Sequence, residues 1–275
     1  MEKGKQMERT KIWAHRGAVE YAPENTLEAF EAAVRLGADG IELDIHLTKD
    51  REIVVIHDER LERTSSGKGY VKDYTLAQLR EMDFSRGTSF GGERRYQIPT
   101  MREVFELIRP TALTINIELK TNVFRYRGIE RKVMAMAAEY GMSGRVCYSS
   151  FNRVSIETIH LLDPHAAVGF LYTEAVTLMP VFAKNLGISA LHPAFYSLLL
   201  PDYMKNCREN GIDVNVWTID TEEQMRVCFL AGVNAVITNY PDKARKVLEE
   251  THETDLDIET IKRRYLAEKW MPKKD

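Results

Sequence analysis

Short β-rich runs alternate with longer stretches of helical periodicity along nearly the whole chain, and this alternation restricts the fold more than any other feature. The predicted strands are Ile12–Arg16, Gly40–Ile45, Thr114–Leu119, Arg145–Ser149, Ala167–Leu171, Ile188–Leu191, Asp213–Trp217 and Ala235–Thr238. The predicted helices that follow them are Thr26–Leu36, Met101–Ile108, Gly128–Tyr140, Ser155–Leu162, Ala175–Asn185, Pro201–Asn210, Thr221–Ala231 and Lys243–Glu249. Successive strand–helix units imply parallel strands with helices outside them. Eight such units in about 250 residues make an α/β fold of the closed (β/α)8 type. The rival, an open doubly wound sheet, would carry a Gly-rich first turn, and Ala14-His15-Arg16-Gly17 is no such turn. No period of about 20–50 residues recurs, which argues against a solenoid.

A chain of 275 residues has room for one barrel-sized domain or two ordinary ones. Its 38 basic and 41 acidic residues leave a net charge of −3, which argues against a protein held to nucleic acid by bulk electrostatics. Cys147, Cys207 and Cys228 are too few and too widely spaced for a disulfide framework or a zinc finger. They read as reduced thiols of a cytoplasmic protein. No run approaches the ~18 apolar residues of a membrane helix, so stable membrane insertion is not expected. The first eleven residues are charged and lack the apolar stretch of a secretory signal.

Two segments interrupt the alternation. Thr48-Lys49-Asp50-Arg51-Glu52 reads as a turn, after which Ile53–His57 returns as a strand. A connection this short favours an antiparallel hairpin, and a turn centred on Asp50-Arg51 would set Asp44 opposite His57. Residues 59–99, rich in Gly and charge, then form a small cap insertion over the mouth of a barrel spanning residues 11–250. Residues 251–275 read as a C-terminal helical extension, with Ile258, Ile261 and Tyr265 on one face. That face either packs on the barrel or joins two copies in a homo-oligomer.

Glu42 and Asp44 lie two apart on one strand and therefore share a face. Crowded carboxylates repel unless a proton or cation lies between them. Both faces of a barrel strand are covered, so this pair needs a partner, and a hard metal ion at the strand end supplies one. Glu118 and Lys120 repeat the arrangement on the next predicted barrel strand, where Glu118 can complete a three-carboxylate site. All-oxygen ligands suit one divalent cation, Mg2+ or Ca2+, and disfavour Zn2+. Lys120 can face the same mouth, pair with its acidic neighbours, or do both.

His15 ends the first strand and His57 ends the hairpin strand. Imidazole titrates near neutrality, which suits two such residues at one site to proton transfer in both directions. Arg16 offers a planar fork of donors for a phosphate or carboxylate. In Pro23-Glu24-Asn25-Thr26-Leu27-Glu28, Asn25 or Thr26 caps the following helix, with support of the site as a second reading for Asn25. Trp217 is either core or an apolar wall of the pocket. Gly87-Thr88-Ser89-Phe90-Gly91 matches the serine-hydrolase string but lacks the strand before it and the helix after it.

These residues resemble the glycerophosphodiester phosphodiesterase family. The resemblance is carried by His15-Arg16-Gly17, Pro23-Glu24-Asn25-Thr26, Ile41-Glu42-Leu43-Asp44, His57-Asp58 and Ile117-Glu118-Leu119-Lys120. It continues through Tyr148-Ser149-Ser150-Phe151-Asn152, Trp217-Thr218-Ile219 and Ile237-Thr238-Asn239-Tyr240-Pro241, covering about residues 11 to 248. It implies a TIM barrel with a small insertion after the hairpin strand, and hydrolysis of a small-molecule glycerophosphodiester to sn-glycerol 3-phosphate and an alcohol. It further implies that Glu42, Asp44 and Glu118 hold the divalent ion and that His15 and His57 form the acid–base pair. Arg16 and Lys120 would neutralise the phosphate, and Trp217 would flank the glycerol end. The short cap and the C-terminal extension depart from the pattern. Alternatives are lysophospholipase D-type hydrolysis of lysophospholipids, a barrel that binds phosphodiesters without cleaving them, and a metal-dependent amidohydrolase. The binding barrel should have lost a ligand or an imidazole, and the amidohydrolase should carry more His ligands.

Overall fold

Ile41, Leu43 and Ile45 point outward from one strand, as Ile115, Ile117 and Leu119 do from its neighbour, and all six are buried against helices. Full burial of such a side chain contributes roughly 1.5–3 kcal/mol, so this outer face drives assembly. The computed structural model describes residues 9–92 and 94–251. Its strands are β1 (Lys11–His15), β2 (Gly40–Leu47), β3 (Ile53–Val55), β4 (Thr114–Leu119), β5 (Val146–Ser150), β6 (Ala167–Tyr172), β7 (Ala190–Pro193), β8 (Asp213–Val216) and β9 (Ala235–Thr238). Its α-helices are α1 (Leu27–Arg35), α2 (Leu76–Arg80), α3 (Met101–Ile108), α4 (Ile129–Glu139), α5 (Arg153–Leu162), α6 (Met179–Asn185), α7 (Tyr203–Glu209), α8 (Glu222–Ala231) and α9 (Pro241–Glu250). Parallel pairings run β1-β9-β8-β7-β6-β5-β4-β2, and β2 pairs with β1 to close the barrel. The α/β barrel expected from the alternation is therefore the fold.

β2 is long because, with β4 along one edge, its other edge serves two partners. Its first half pairs with β1 and its last residues pair antiparallel with β3. The register sets Ile45 opposite Val55, so Asp44 faces Ile56 rather than His57, and the expected register is one residue out. The turn causes this. Thr48 N donates to Glu52 O at 3.0 Å and so closes a loop of three residues, inside which Arg51 N donates to Thr48 O at 2.9 Å and Arg51 adopts a left-handed φ of 66°. The hairpin strand stops at Val55, which leaves His57 beyond it.

Residues 59–99 begin and end beside the hairpin, where Val54 bridges to Thr100. Leu61, Val71, Leu79, Phe84 and Ile98 pack there against Val54 and Ile56, so the insertion is rooted on the hairpin by its own apolar cluster. β7 starts two residues later than predicted. Ile188 N is bonded to Ala183 O, which makes Ile188 part of the exit from α6. The C-terminal extension predicted over 251–275 lies, apart from Thr251, outside the described residues. Among the described residues no helix is long and apolar enough to cross a membrane.

Candidate active site at the C-terminal mouth of the barrel

Parallel pairing places His15 beside Glu42 and Asp44 beside Glu118. One ligand oxygen from each of Glu42, Asp44 and Glu118 lies within 4.8 Å of the others, and all three residues are buried. Burial pushes the Glu42 carboxyl well above its ordinary value, and the charges of Asp44 and Glu118 push it the same way. Glu118 is also raised, by burial against the opposing pull of Lys120. Asp44 moves the other way. Burial is outweighed by Lys120, His57 and Arg16, and by a bond from Asn25 Nδ2 to Asp44 Oδ2 at 3.0 Å.

The cationic side chains stand around this cluster. Lys120 Nζ donates to Glu118 Oε1 at 2.9 Å and lies 3.7 Å from Asp44 Oδ1. These two carboxylates overcome the burial of Lys120 and push it up to about 12. Arg16 Nε is 3.6 Å from Asp44 Oδ2, Arg16 Nη1 is 2.9 Å from Glu24 Oε1, and the Arg16 N–H donates to Glu42 Oε2 at 3.1 Å. Arg16 reaches all three through a left-handed backbone, φ 56°, followed by Gly17 at φ 88°. A Cβ on Gly17 would lie 2.6 Å from Ala29 Cβ, so only glycine lets the β1 exit rest on α1.

Both imidazoles face the cluster. His57 Nε2 lies 3.2 Å from Lys120 Nζ, and His57 Nδ1 lies 2.6 Å from Asp58 Oδ1. Arg63 of the cap insertion donates to both oxygens of Asp58, at 2.6 and 3.1 Å, and forks onto Glu24 at 2.8 Å on each arm. Burial notwithstanding, the bonds from His57 and Arg63 hold Asp58 well below the usual carboxylate range. His15 Nε2 is 4.0 Å from Glu42 Oε2, and His15 Nδ1 is 2.9 Å from Asn239 Oδ1. Burial, assisted by Arg16, lowers His15 to about 4.

A cavity of about 160 Å³ opens here, its lining made up of polar His15, Arg16, Glu42, His57 and Glu118 together with apolar Phe151, Leu171, Trp217 and Ile237. Trp217 is therefore pocket wall. It follows β8, meets Phe151 edge-on at 5.5 Å and donates through Nε1 to His192 O at 2.7 Å; its peptide to Thr218 is cis.

All eight side chains singled out in the sequence meet at this mouth: six line the cavity, and Asp44 and Lys120 are in contact with those six without lining it. Thr26, not Asn25, caps α1, leaving Asn25 to hold Asp44. The Gly87–Gly91 string lies in the cap insertion outside any strand or helix. Asn116, Asp220 and Arg63 carry no motif or spacing that marks them in the sequence. Asn239, Phe151 and Glu24 stood inside the recognised strings without a role.

Fold and mouth together define an α/β barrel with a buried three-carboxylate cluster and two imidazoles at its C-terminal end, and comparison with known proteins gives its class. Residues 15–243 match the Glycerophosphoryl diester phosphodiesterase family. A glycerophosphodiester phosphodiesterase of Caldanaerobacter subterraneus subsp. tengcongensis is 42% identical over 236 residues, 85% of this chain and 96% of that one. One from Bacillus altitudinis is 38% identical over 244 residues, 88% of this chain and 99% of that one. The crystal structure of a glycerophosphodiester phosphodiesterase from Parabacteroides distasonis superposes with a TM-score of 0.76 at 28% identity, covering 89% of this chain and 99% of that one. A phosphodiesterase from Oleispira antarctica, solved in complex with the product sn-glycerol-3-phosphate, gives a TM-score of 0.75 at 26% identity over 88% of this chain and 97% of that one. The chain belongs to the glycerophosphoryl diester phosphodiesterase family.

Proposed function

We propose that this protein hydrolyses glycerophosphodiesters to sn-glycerol 3-phosphate and an alcohol, using His15 and His57 for proton transfer beside one divalent cation, Mg2+ or Ca2+. The carrying observation is convergence: two imidazoles, three carboxylates and two cationic side chains from β1, β2, the hairpin exit and β4 meet at one small cavity. The relative from Oleispira antarctica holds sn-glycerol-3-phosphate.

Glu42, Asp44 and Glu118 suit a hard cation. Asp44 Oδ1, Asn25 Oδ1 and Asn116 Oδ1 are buried with no hydrogen-bond donor, so the donor set is rich in oxygens left free to ligate. When bound there, such a cation draws charge from the phosphoryl oxygens. Arg16 and Lys120 add donors for the same oxygens, where negative charge grows in the transition state. One imidazole accepts the proton of the attacking hydroxyl as its oxygen bonds to phosphorus. The other donates a proton to the departing alkoxide as the second P–O bond breaks, so the alcohol leaves neutral. The flat rings of Phe151 and Trp217 suit the C–H faces of glycerol. The three unpaired thiols fit a reducing, cytoplasmic setting.

One observation favours lysophospholipids as further substrates. Val123, Val154 and Leu178 are 63%, 49% and 70% exposed on the segments that follow β4, β5 and β6, the strand ends from which the mouth is built. The test is a coupled assay for released glycerol 3-phosphate across choline, ethanolamine, glycerol and inositol diesters, with and without chelator, plus a free-headgroup assay on long-chain lysophospholipids. Chelator-sensitive release of glycerol 3-phosphate is expected. Release that survives chelation would remove the cation from the reaction, and no release from any diester would end the reading.

A further inference from the structure

The two imidazoles are anchored differently. His57 Nδ1 meets a carboxylate, Asp58, which can only accept. His15 Nδ1 meets a carboxamide, Asn239, which can present either an acceptor or a donor depending on its orientation. A third group is needed to decide which, and it is present. Asp220 Oδ2 lies 2.7 Å from Asn239 Nδ2, while Asp220 Oδ1 accepts from Asn239 N at 2.9 Å and from Thr238 Oγ1 at 3.2 Å.

We propose that Asp220 and Asn239 are positioning residues that hold His15 with its proton on Nδ1 and its lone pair on Nε2, aimed at the pocket. The inference rests on the catalytic reading of His15. An ionised Asp220 offers acceptors only, so the Asn239 amide must turn its NH2 toward it. That leaves Asn239 Oδ1 facing His15, and an oxygen acceptor there requires the ring proton on Nδ1. Nε2, 4.0 Å from Glu42 Oε2 at the cavity, then has no proton of its own and is the working nitrogen. The other tautomer would present an N–H to the pocket and could not take a proton. Asp220 follows β8 and Asn239 follows β9, so closure of the barrel between β9 and β1 delivers the chain of bonds to the end of β1.

Asp220→Asn tests this sharply. Its new amide must aim NH2 at either the Asn239 backbone N–H or the Asn239 side chain. The backbone donor is fixed, so the side chain yields: Asn239 turns over, presents NH2 to His15 Nδ1 and drives the proton to Nε2. The readout is nitrogen NMR of 15N-histidine-labelled full-length protein, with His15 assigned by its loss in His15→Gln, together with steady-state kinetics on a glycerophosphodiester. Wild type should show a protonated Nδ1 and an unprotonated Nε2. Asp220→Asn should invert them and lower kcat by about 10- to 10³-fold, with KM within about threefold. Asn239→Leu, which removes the amide, provides a second test: it should also lose the Nδ1–H form and lower kcat. An unchanged His15 tautomer in either folded variant overturns the proposal, and so does an inverted tautomer with kcat within threefold of wild type. The tautomer is read without substrate. A wild type with the expected ring state but no diesterase activity would therefore overturn the catalytic reading, not the hydrogen-bond chain.

Discussion

Replacing Glu42 by Gln should stabilise the cation-free protein and abolish its response to divalent cations. The three carboxylate oxygens lie within 4.8 Å of one another. At an effective dielectric of about 20, each ionised pair at that separation costs about 3.5 kcal/mol. Glu42 has two such neighbours and is opposed by Arg16, whose N–H donates to it at 3.1 Å. The balance lies on the repulsive side, since the Glu42 carboxyl is held well above 4.5 by burial and then by Asp44 and Glu118. The raised folded value means that a protonated Glu42 favours the folded state. Its contribution is full at acid pH and is lost as pH rises through that folded value. Chelated wild type should therefore weaken toward alkaline pH, while chelated Glu42→Gln should hold, leaving the variant ahead by roughly 1–3 kcal/mol, or about 3–9 °C in Tm, at pH 8. Added Mg2+ or Ca2+ at about a hundred times Kd should restore about 2.7 kcal/mol to wild type and little to the variant. Thermal melts from pH 6 to 9, with chelator or cation, decide the matter. A chelated variant that melts at or below chelated wild type at pH 8, or that gains as much from the cation, would refute the electrostatic argument.

His57→Ala should lower kcat by about 10²–10⁴-fold, and near-normal turnover in a steady-state assay would remove His57 from proton transfer. Burial inside the barrel lowers His192 to about 3, so the unfolded chain, titrating near 6.5, takes up protons first on acidification. Between pH 7 and pH 5 that costs wild type about 2 kcal/mol, which urea titrations should show to be missing from His192→Gln. Gly17→Ala should cost roughly 2–4 kcal/mol in urea denaturation, because the new Cβ would press within 2.6 Å of Ala29 Cβ at a φ of 88°. An unchanged midpoint would mean that α1 can shift freely.

The barrel was legible because its strands are covered on both faces. Ile41, Leu43 and Ile45 read as an outer core, and that made Glu42 and Asp44 conspicuous between them. Local chemistry stayed readable wherever spacing along one strand decided it, as for Glu118 and Lys120. Failures came where the backbone took an uncommon turn. A left-handed Arg51 inserts one residue into the hairpin and moves His57 out of register with Asp44, although no glycine marks the site. His57 still reaches the mouth, because Lys120 and Asp58 hold it there from beyond the strand. Least legible were partners distant in sequence. Asn239 reaches His15 across 224 positions, and Arg63 joins Asp58 to Glu24 across 39, contacts that only closure of the barrel and folding of the cap create. Asn25 shows the remaining difficulty. Its string reads first as a helix cap, and only Thr26 taking the cap frees it for Asp44.

The central claim is that Glu42, Asp44 and Glu118 hold a divalent cation between His15 and His57 where the diester is cut. Anomalous diffraction from crystals grown with Mn2+ and soaked with sn-glycerol 3-phosphate tests it most directly. One strong peak is expected bounded by the three carboxylates, with the phosphate against it and within reach of Arg16, Lys120 and both imidazoles. A Mn2+ peak elsewhere, or a phosphate seated away from the two histidines, would contradict it.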